Sequence, residues 1–173
     1  MSVAGFDPSI LSRIRGRKVS GRFYRTVLAK HRSKIDSPIG SSLVPGRYHT
    51  AAEDEVLYLS DNPTLCMGET TQALKTVSIK DAAWHTATFT AELTNVIDLT
   101  SSKVLDRLGV TAADLVQPKP GGYRLTQAIA TAARDQGFEA LLVPTARPGL
   151  AGNNLVVFLE VIARTRGKVE LVK

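Results

Sequence analysis

Val56-Leu57-Tyr58-Leu59-Ser60-Asp61-Asn62-Pro63-Thr64-Leu65-Cys66-Met67-Gly68-Glu69-Thr70-Thr71-Gln72-Ala73-Leu74 changes character half-way along. Val56 to Ser60 reads as a short strand, and the residues from Asn62 onward open like a helix. Asn62 is placed to cap it, and Pro63 fits the first helical position, where its missing N–H costs nothing. At about 100° per residue, Leu65, Cys66 and Ala73 fall on one stripe, and Glu69 lands in the middle of it. A carboxylate on a core-facing stripe is costly unless it is paired or faces a cleft. Glu69 is therefore the first candidate for chemistry. A structural ion pair with one of the arginines would account for it equally well, and the helix alone does not separate the two.

The flanking sequence is strand-rich. Arg22-Phe23-Tyr24-Arg25-Thr26-Val27-Leu28 reads as a strand, and residues 31–47, with Pro38, Gly40, Ser41, Ser42, Pro45 and Gly46, as a long loop. Ala87, Phe89, Ala91 and Leu93 alternate with Thr86, Thr88, Thr90 and Glu92, the pattern of a half-buried strand. Asn95 to Leu99 reads as another. Short helices are expected over Lys103–Leu108 and Ala112–Gln117, the second opened by a capping-box-like Thr111-Ala112-Ala113-Asp114. Pro118 and Pro120 stop it, and Gly121-Gly122 form a corner. Leu125, Ala128, Ile129, Ala132 and Ala133 mark an amphipathic helix ended by Gly137. Phe138–Val143 and Asn154–Ile162 are apolar strands, the latter central, and Lys168–Val172 adds an edge strand. Strands and helices mix without βαβ regularity and without repeats. The expected class is α+β, a single compact domain over residues 21–173 preceded by an irregular arm or short helix over residues 1–20.

Composition narrows the function. A chain of 173 residues with 43% hydrophobic and 22% charged residues is ordinary for one globular domain. It contains no apolar run of ~18 residues, so no membrane span is expected. The N-terminus lacks a charged stretch followed by an apolar one, so a cytoplasmic location is expected. One cysteine and three scattered histidines offer no metal-ligand spacing. The net charge of +6 gathers in Arg13, Arg15, Arg17, Lys18 and Arg22 and in Arg164, Arg166 and Lys168. Without interleaved aromatics or a nucleic-acid motif, these stretches disfavour direct nucleic-acid binding and leave an acidic partner or an anionic ligand.

Several further groups suit one ligand. Arg25 lies on the first strand, Arg47-Tyr48 ends the glycine- and proline-containing loop, and Tyr58 precedes the Glu69 helix. Thr145, Arg147 and Asn154 flank the turn between two late strands. Arginines suit a pyrophosphate through forked bonding, and tyrosines can pack on a base or nicotinamide ring. A carboxylate can hold a ribose hydroxyl and stabilise an oxocarbenium-like centre. Singly, each could be an ion pair, a core aromatic or a turn.

In order and spacing these residues resemble the RES domain, named for Arg, Glu and Ser. The resemblance rests on Phe23-Tyr24-Arg25, Pro45-Gly46-Arg47-Tyr48, Val56–Ser60 through Glu69, Gly137-Phe138, Pro144-Thr145-Ala146-Arg147 and Gly152-Asn153-Asn154-Leu155-Val156-Val157-Phe158. It spans about residues 22–160. It implies a fold with mixed sheets and several short helices, like that of ADP-ribosyltransferases. It also implies the toxin half of a toxin–antitoxin pair, cleaving NAD⁺ at the nicotinamide–ribose bond by phosphorolysis or hydrolysis. NAD⁺ would be the substrate, inorganic phosphate a co-substrate, and a separate Xre-type antitoxin would block the cleft. The alternatives are transfer of ADP-ribose to a protein, or a non-catalytic nucleotide-binding module. The resemblance assigns catalysis to Glu69, Arg47 and Thr145, and ligand binding to Arg25, Arg47, Tyr48, Tyr58, Arg147 and Asn154. Thr145 stands where the family has serine; it keeps the hydroxyl and adds a methyl that restricts χ1.

Overall fold

A 15-residue strand, Trp84–Asp98, organises the molecule because it is paired along both edges. The computed structural model describes residues 6–39, 45–50, 55–74, 83–117 and 123–172, without the side chains of 72–74. In chain order the elements are β1 (Arg17–Leu28), β2 (Val56–Ser60), α1 (Pro63–Leu74) and β3 (Trp84–Asp98). Then come α2 (Ser102–Leu108), α3 (Ala112–Leu115), α4 (Tyr123–Asp135), β4 (Ala140–Pro144), β5 (Asn153–Phe158), α5 (Leu159–Ile162) and β6 (Lys168–Leu171). The strands run β1–β2–β5–β4–β3 and return to β1, closing a barrel, and β6 lies against the first half of β3. Among the described strands only β3 and β4 pair in parallel. Their connection is correspondingly long and carries α2, α3 and α4.

Alternation along the strands splits the core into two layers. Leu57, Leu59, Leu155 and Val157 pack with Phe23, Phe89 and Leu93 in one cluster. Val56, Val156 and Phe158 point the other way and meet Leu105, Leu115, Ile129 and Ala133 from the helices. β5 is buried on both faces, which is why its sequence is almost continuously apolar.

Local signals explain most of the boundaries. The Asn62 carboxamide oxygen accepts from Leu65 N–H at 2.8 Å, fixing the start of α1. The Thr111–Asp114 capping box forms in both directions. Gly137, at φ 77°, terminates α4.

The structure differs from the expectations raised by the sequence in four places. Asn95 to Leu99 is no separate strand, because β3 runs unbroken to Asp98 once β4 takes over its edge. The apolar run Asn154–Ile162 stays extended only to Phe158. Leu159 to Ile162 then make a helical turn, closed by Ala163 N–H to Leu159 O; a short apolar run does not by itself distinguish strand from helix. Residues 1–20 contain a 3-10 turn over Pro8–Arg13 and the first residues of β1, and Phe6 and Leu11 are wholly buried in the core. The loop expected over 31–47 begins within a 3-10 turn, Ala29–Lys34. Its Gly40, Ser41 and Ser42 lie outside the described residues, as do Pro118, Pro120 and the Gly121-Gly122 corner.

Glu139 is the one fully buried carboxylate among the described residues. It accepts from the backbone N–H of Thr94 at 2.6 Å and of Asn95 at 3.1 Å, tying β3 to the start of β4. Burial pushes its pKa up, but hydrogen bonds from Thr165, Thr94 and Asn95 prevail and hold it below the usual glutamate value. A carboxyl depressed in the folded state stabilises the fold above its unfolded pKa of ~4.3. That contribution is lost as pH falls through the folded value. Glu139→Gln should cost about 1–3 kcal/mol near neutral pH by leaving buried donors poorly matched. The gap to wild type should narrow in melts run below about pH 4; a gap independent of pH would rule out the charge as its cause.

Candidate functional site

The barrel closes unevenly, and the site lies at its weakest seam. β1 pairs with β3 from Arg17 to Leu28 but with β2 at one position, Tyr24 opposite Ser60. α1 covers the opening. The Cys66 thiol donates to Tyr24 O, and the Thr70 hydroxyl donates to Thr26 O, so side chains of a helix bond β1 carbonyls where the ladder stops. Above this seam lies a cavity of about 410 Å³, within the range of small-molecule sites. Its walls include Arg25, Arg47, Tyr48, Tyr58, Glu69, Arg147 and Asn154. Thr145 reaches it through Glu69.

Glu69 is held from three directions. Its Oε1 accepts from the Thr145 hydroxyl at 2.8 Å and from Asn154 Nδ2 at 3.1 Å. Its Oε2 accepts from Arg147 Nε at 2.8 Å. The Asn154 amide is itself fixed, because its oxygen accepts from Ser60 Oγ at 2.6 Å. Leu150, in the same turn as Arg147, packs against Gly68 closely enough that a Cβ there, 2.5 Å from Leu150 Cδ1, would make the leucine side chain swing aside. With side-chain exposures of 25% and 33%, Glu69 and Arg147 form an ion pair on a cavity wall rather than in the core.

Arg47 sits on a preset turn. The Gln127 amide of α4 donates to both Gly46 O and His49 O, and the Thr126 hydroxyl donates to Arg47 O. The Arg47 guanidinium lies 4.7 Å over the Tyr123 ring. Its Nη1 donates to Leu115 O and Gln117 O at 3.1 and 2.7 Å. Gly46 is required here, because a Cβ would collide with the His49 ring. Arg25 is arranged similarly, its Nη1 donating to Ile35 O and Ser37 O at 2.9 and 3.0 Å. Burial lowers its pKa. Both arginines are thus oriented by carbonyls, which do not neutralise a guanidinium, although Asp36 lies near enough to Arg25 to favour its charged form.

The tyrosines are less available than their positions on the walls suggest. Tyr58 Oη accepts from Tyr48 N–H at 3.1 Å and lies 2.8 Å from His49 Nδ1. Burial raises the pKa of both phenols, so they stay neutral hydrogen-bonding groups. The Cys66 thiol is likewise pushed up by burial.

All eight residues singled out from the sequence converge here, alongside ones the sequence did not single out: His49, Ser60, Tyr123, Thr126 and Gln127. The last three share one face of α4 at spacings of three and four, the only sequence signal they offered. Among the described residues no group of three or more His, Cys, Asp or Glu side chains could hold a metal, and no helix is long and apolar enough to cross a membrane.

This arrangement, one carboxylate fixed among three arginines over a barrel seam, is accompanied by a family match. The RES domain model matches residues 22–168, and the chain belongs to that family. Its structure is similar to a chain of the M. tuberculosis MbcT–MbcA toxin–antitoxin complex. The TM-score is 0.76 at 26% sequence identity, covering 96% of this chain and 88% of that one. No curated protein matches it.

Because Arg47 also ties α3 and α4 to its turn, Arg47→Ala should do two things. Stability should fall by about 1 kcal/mol through the lost carbonyl contacts, and affinity for NAD⁺, the ligand expected from the sequence, should fall by ~1.5–3 kcal/mol. Melts and calorimetry on the same folded variant separate the two; unchanged affinity would remove Arg47 from the site.

Proposed function

We propose that this chain is the toxin of a toxin–antitoxin pair, acting in the cytoplasm, and that it breaks the nicotinamide–ribose bond of NAD⁺. One observation carries the reading: a hydrogen-bonded carboxylate shares a cavity with three arginines. Arg25, Arg47 and Arg147 against Glu69 give the walls an excess of two positive charges, matched by the two negative charges of a pyrophosphate. Glu69, next to that positive field, takes the sugar. As nicotinamide leaves, positive charge develops at the ribose, and a pre-oriented carboxylate stabilises it without reorganising. Thr145, Asn154 and Arg147 fix that orientation. Oxygen from water or inorganic phosphate then completes the reaction.

The family membership and the likeness to a chain of a toxin–antitoxin complex support the toxin assignment and an antitoxin partner, which we take to be of Xre type and to cover this cavity. Incubation with NAD⁺ and phosphate, then mass spectrometry, tests the chemistry. ADP-ribose-1″-phosphate indicates phosphorolysis, ADP-ribose hydrolysis, and a mass increment on an added protein transfer. Bound but unchanged NAD⁺ would reduce the protein to a nucleotide sensor.

The Glu69–Arg147 pair also has a purely structural reading, which the exposures weigh against. A pair on a partly solvent-open cavity wall falls nearer the ~0–1 kcal/mol of exposed pairs than the ~3–5 kcal/mol cost of breaking a buried one. Glu69→Gln should therefore leave the melting temperature close to wild type. NAD⁺ turnover should fall by at least about a hundredfold, from ~3–4 kcal/mol of lost charge stabilisation. A large drop in melting temperature with near-normal turnover at low temperature would end the catalytic reading.

A further inference from the structure

As bounded by the described residues, the cavity is small for a whole dinucleotide. At about 410 Å³ it lies in the lower part of the ~300–1,000 Å³ range of ligand sites. Its aromatic surfaces are also few among the described residues. The Arg47 guanidinium already covers the Tyr123 ring, and Tyr48 is only 2% exposed. The Tyr58 ring is packed edge-on against His49. The described walls therefore offer no open ring face on which a second heteroaromatic ring, such as adenine, could stack.

Arg147 supplies the second observation. It reaches Glu69 through Nε alone, and its two terminal nitrogens have no hydrogen-bond partner among the described residues. A guanidinium bonded at Nε keeps the Nη1–Nη2 fork for a second, bidentate acceptor. Glu69 and an anion on that fork would be separated by one guanidinium and two hydrogen bonds. That span suits a single ribose, its hydroxyls on the carboxylate and its 5′-phosphate on the fork.

Resting on the proposal that this site cleaves the nicotinamide–ribose bond, we propose that the recognised unit is the nicotinamide ribosyl 5′-phosphate, with Arg147 reading its phosphate. The adenosine half is then dispensable, and nicotinamide mononucleotide is a substrate in its own right. In that reaction the bond from C1′ to the ring nitrogen breaks and its electron pair leaves with neutral nicotinamide. An oxygen of water or inorganic phosphate bonds to C1′, and any proton it carries passes to solvent. The products are nicotinamide and ribose 5-phosphate, or ribose 1,5-bisphosphate.

Nicotinamide release by the purified full-length chain from NAD⁺, nicotinamide mononucleotide and nicotinamide riboside, with phosphate present, tests this. kcat/KM for the mononucleotide should be at least about a tenth of that for NAD⁺. The riboside should be slower than the mononucleotide by about a hundredfold or more, since it lacks the charge-assisted phosphate contacts. A mononucleotide slower than a tenth of NAD⁺ would overturn the proposal, as would a riboside cleaved nearly as fast as the mononucleotide. Arg147→Ala should collapse the mononucleotide-to-riboside ratio, and Arg147→Lys should restore part of it; an unchanged ratio in a folded variant would take the phosphate away from Arg147. If the mononucleotide is cleaved and NAD⁺ is not, this inference stands and the dinucleotide reading fails. If neither is cleaved, both fail.

Discussion

The site exists because β1 has more edge than the barrel can pair. One edge of β1 is laddered to β3 from Arg17 to Leu28, while the other meets β2 only at Tyr24 and Ser60. Unpaired strand edges must find other partners or water. Here α1 supplies them, with Cys66 bonding Tyr24 O and Thr70 bonding Thr26 O. The same helix, held by those contacts, carries Glu69 one turn beyond Cys66 and sets it on the cavity wall. The incomplete seam is thus both the defect that makes the cavity and the reason a helix bearing a carboxylate lies over it.

Around that carboxylate the polar groups divide into two kinds. Thr145, Asn154 and Arg147 direct hydrogen bonds to Glu69 itself, and Ser60 holds Asn154 in turn. Arg25 and Arg47 are instead pinned by main-chain carbonyls, which orient a guanidinium without neutralising it. The first set gives the carboxylate one orientation, and the second keeps the cavity electropositive. Threonine at position 145 fits this division. Its hydroxyl donates to Glu69 and accepts from Arg147 N–H at 3.1 Å, so it acts inside the frame rather than on the cavity surface.

The features legible in the sequence obey short-range rules. The Asn62 cap, the Thr111–Asp114 capping box, the alternation of β3 and the face of α4 each depend on neighbours within one or two turns. The position of Glu69 on an otherwise apolar stripe was legible too, although Leu65 and Cys66 are buried and the side chain of Ala73 lies outside the described residues. The boundaries that misled were set by distant partners. β3 continues through Asn95 because β4 arrives there from the far side of three helices, and β5 ends at Phe158, after which Leu159 N–H bonds Glu55 O.

The amino-acid sequence by itself determined the α+β class, the family and eight of the residues that gather around the site, because these rest on local patterns and on motif order along the chain. Only the tertiary structure decided what those residues do to one another. That Glu69 meets Arg147 across 78 positions, that Gln127 clamps the turn of Arg47, and that Tyr58 is tied to His49 are all set by how the barrel closes. Pairings at such separation leave no periodicity in a single sequence, since nothing local in either segment depends on the other.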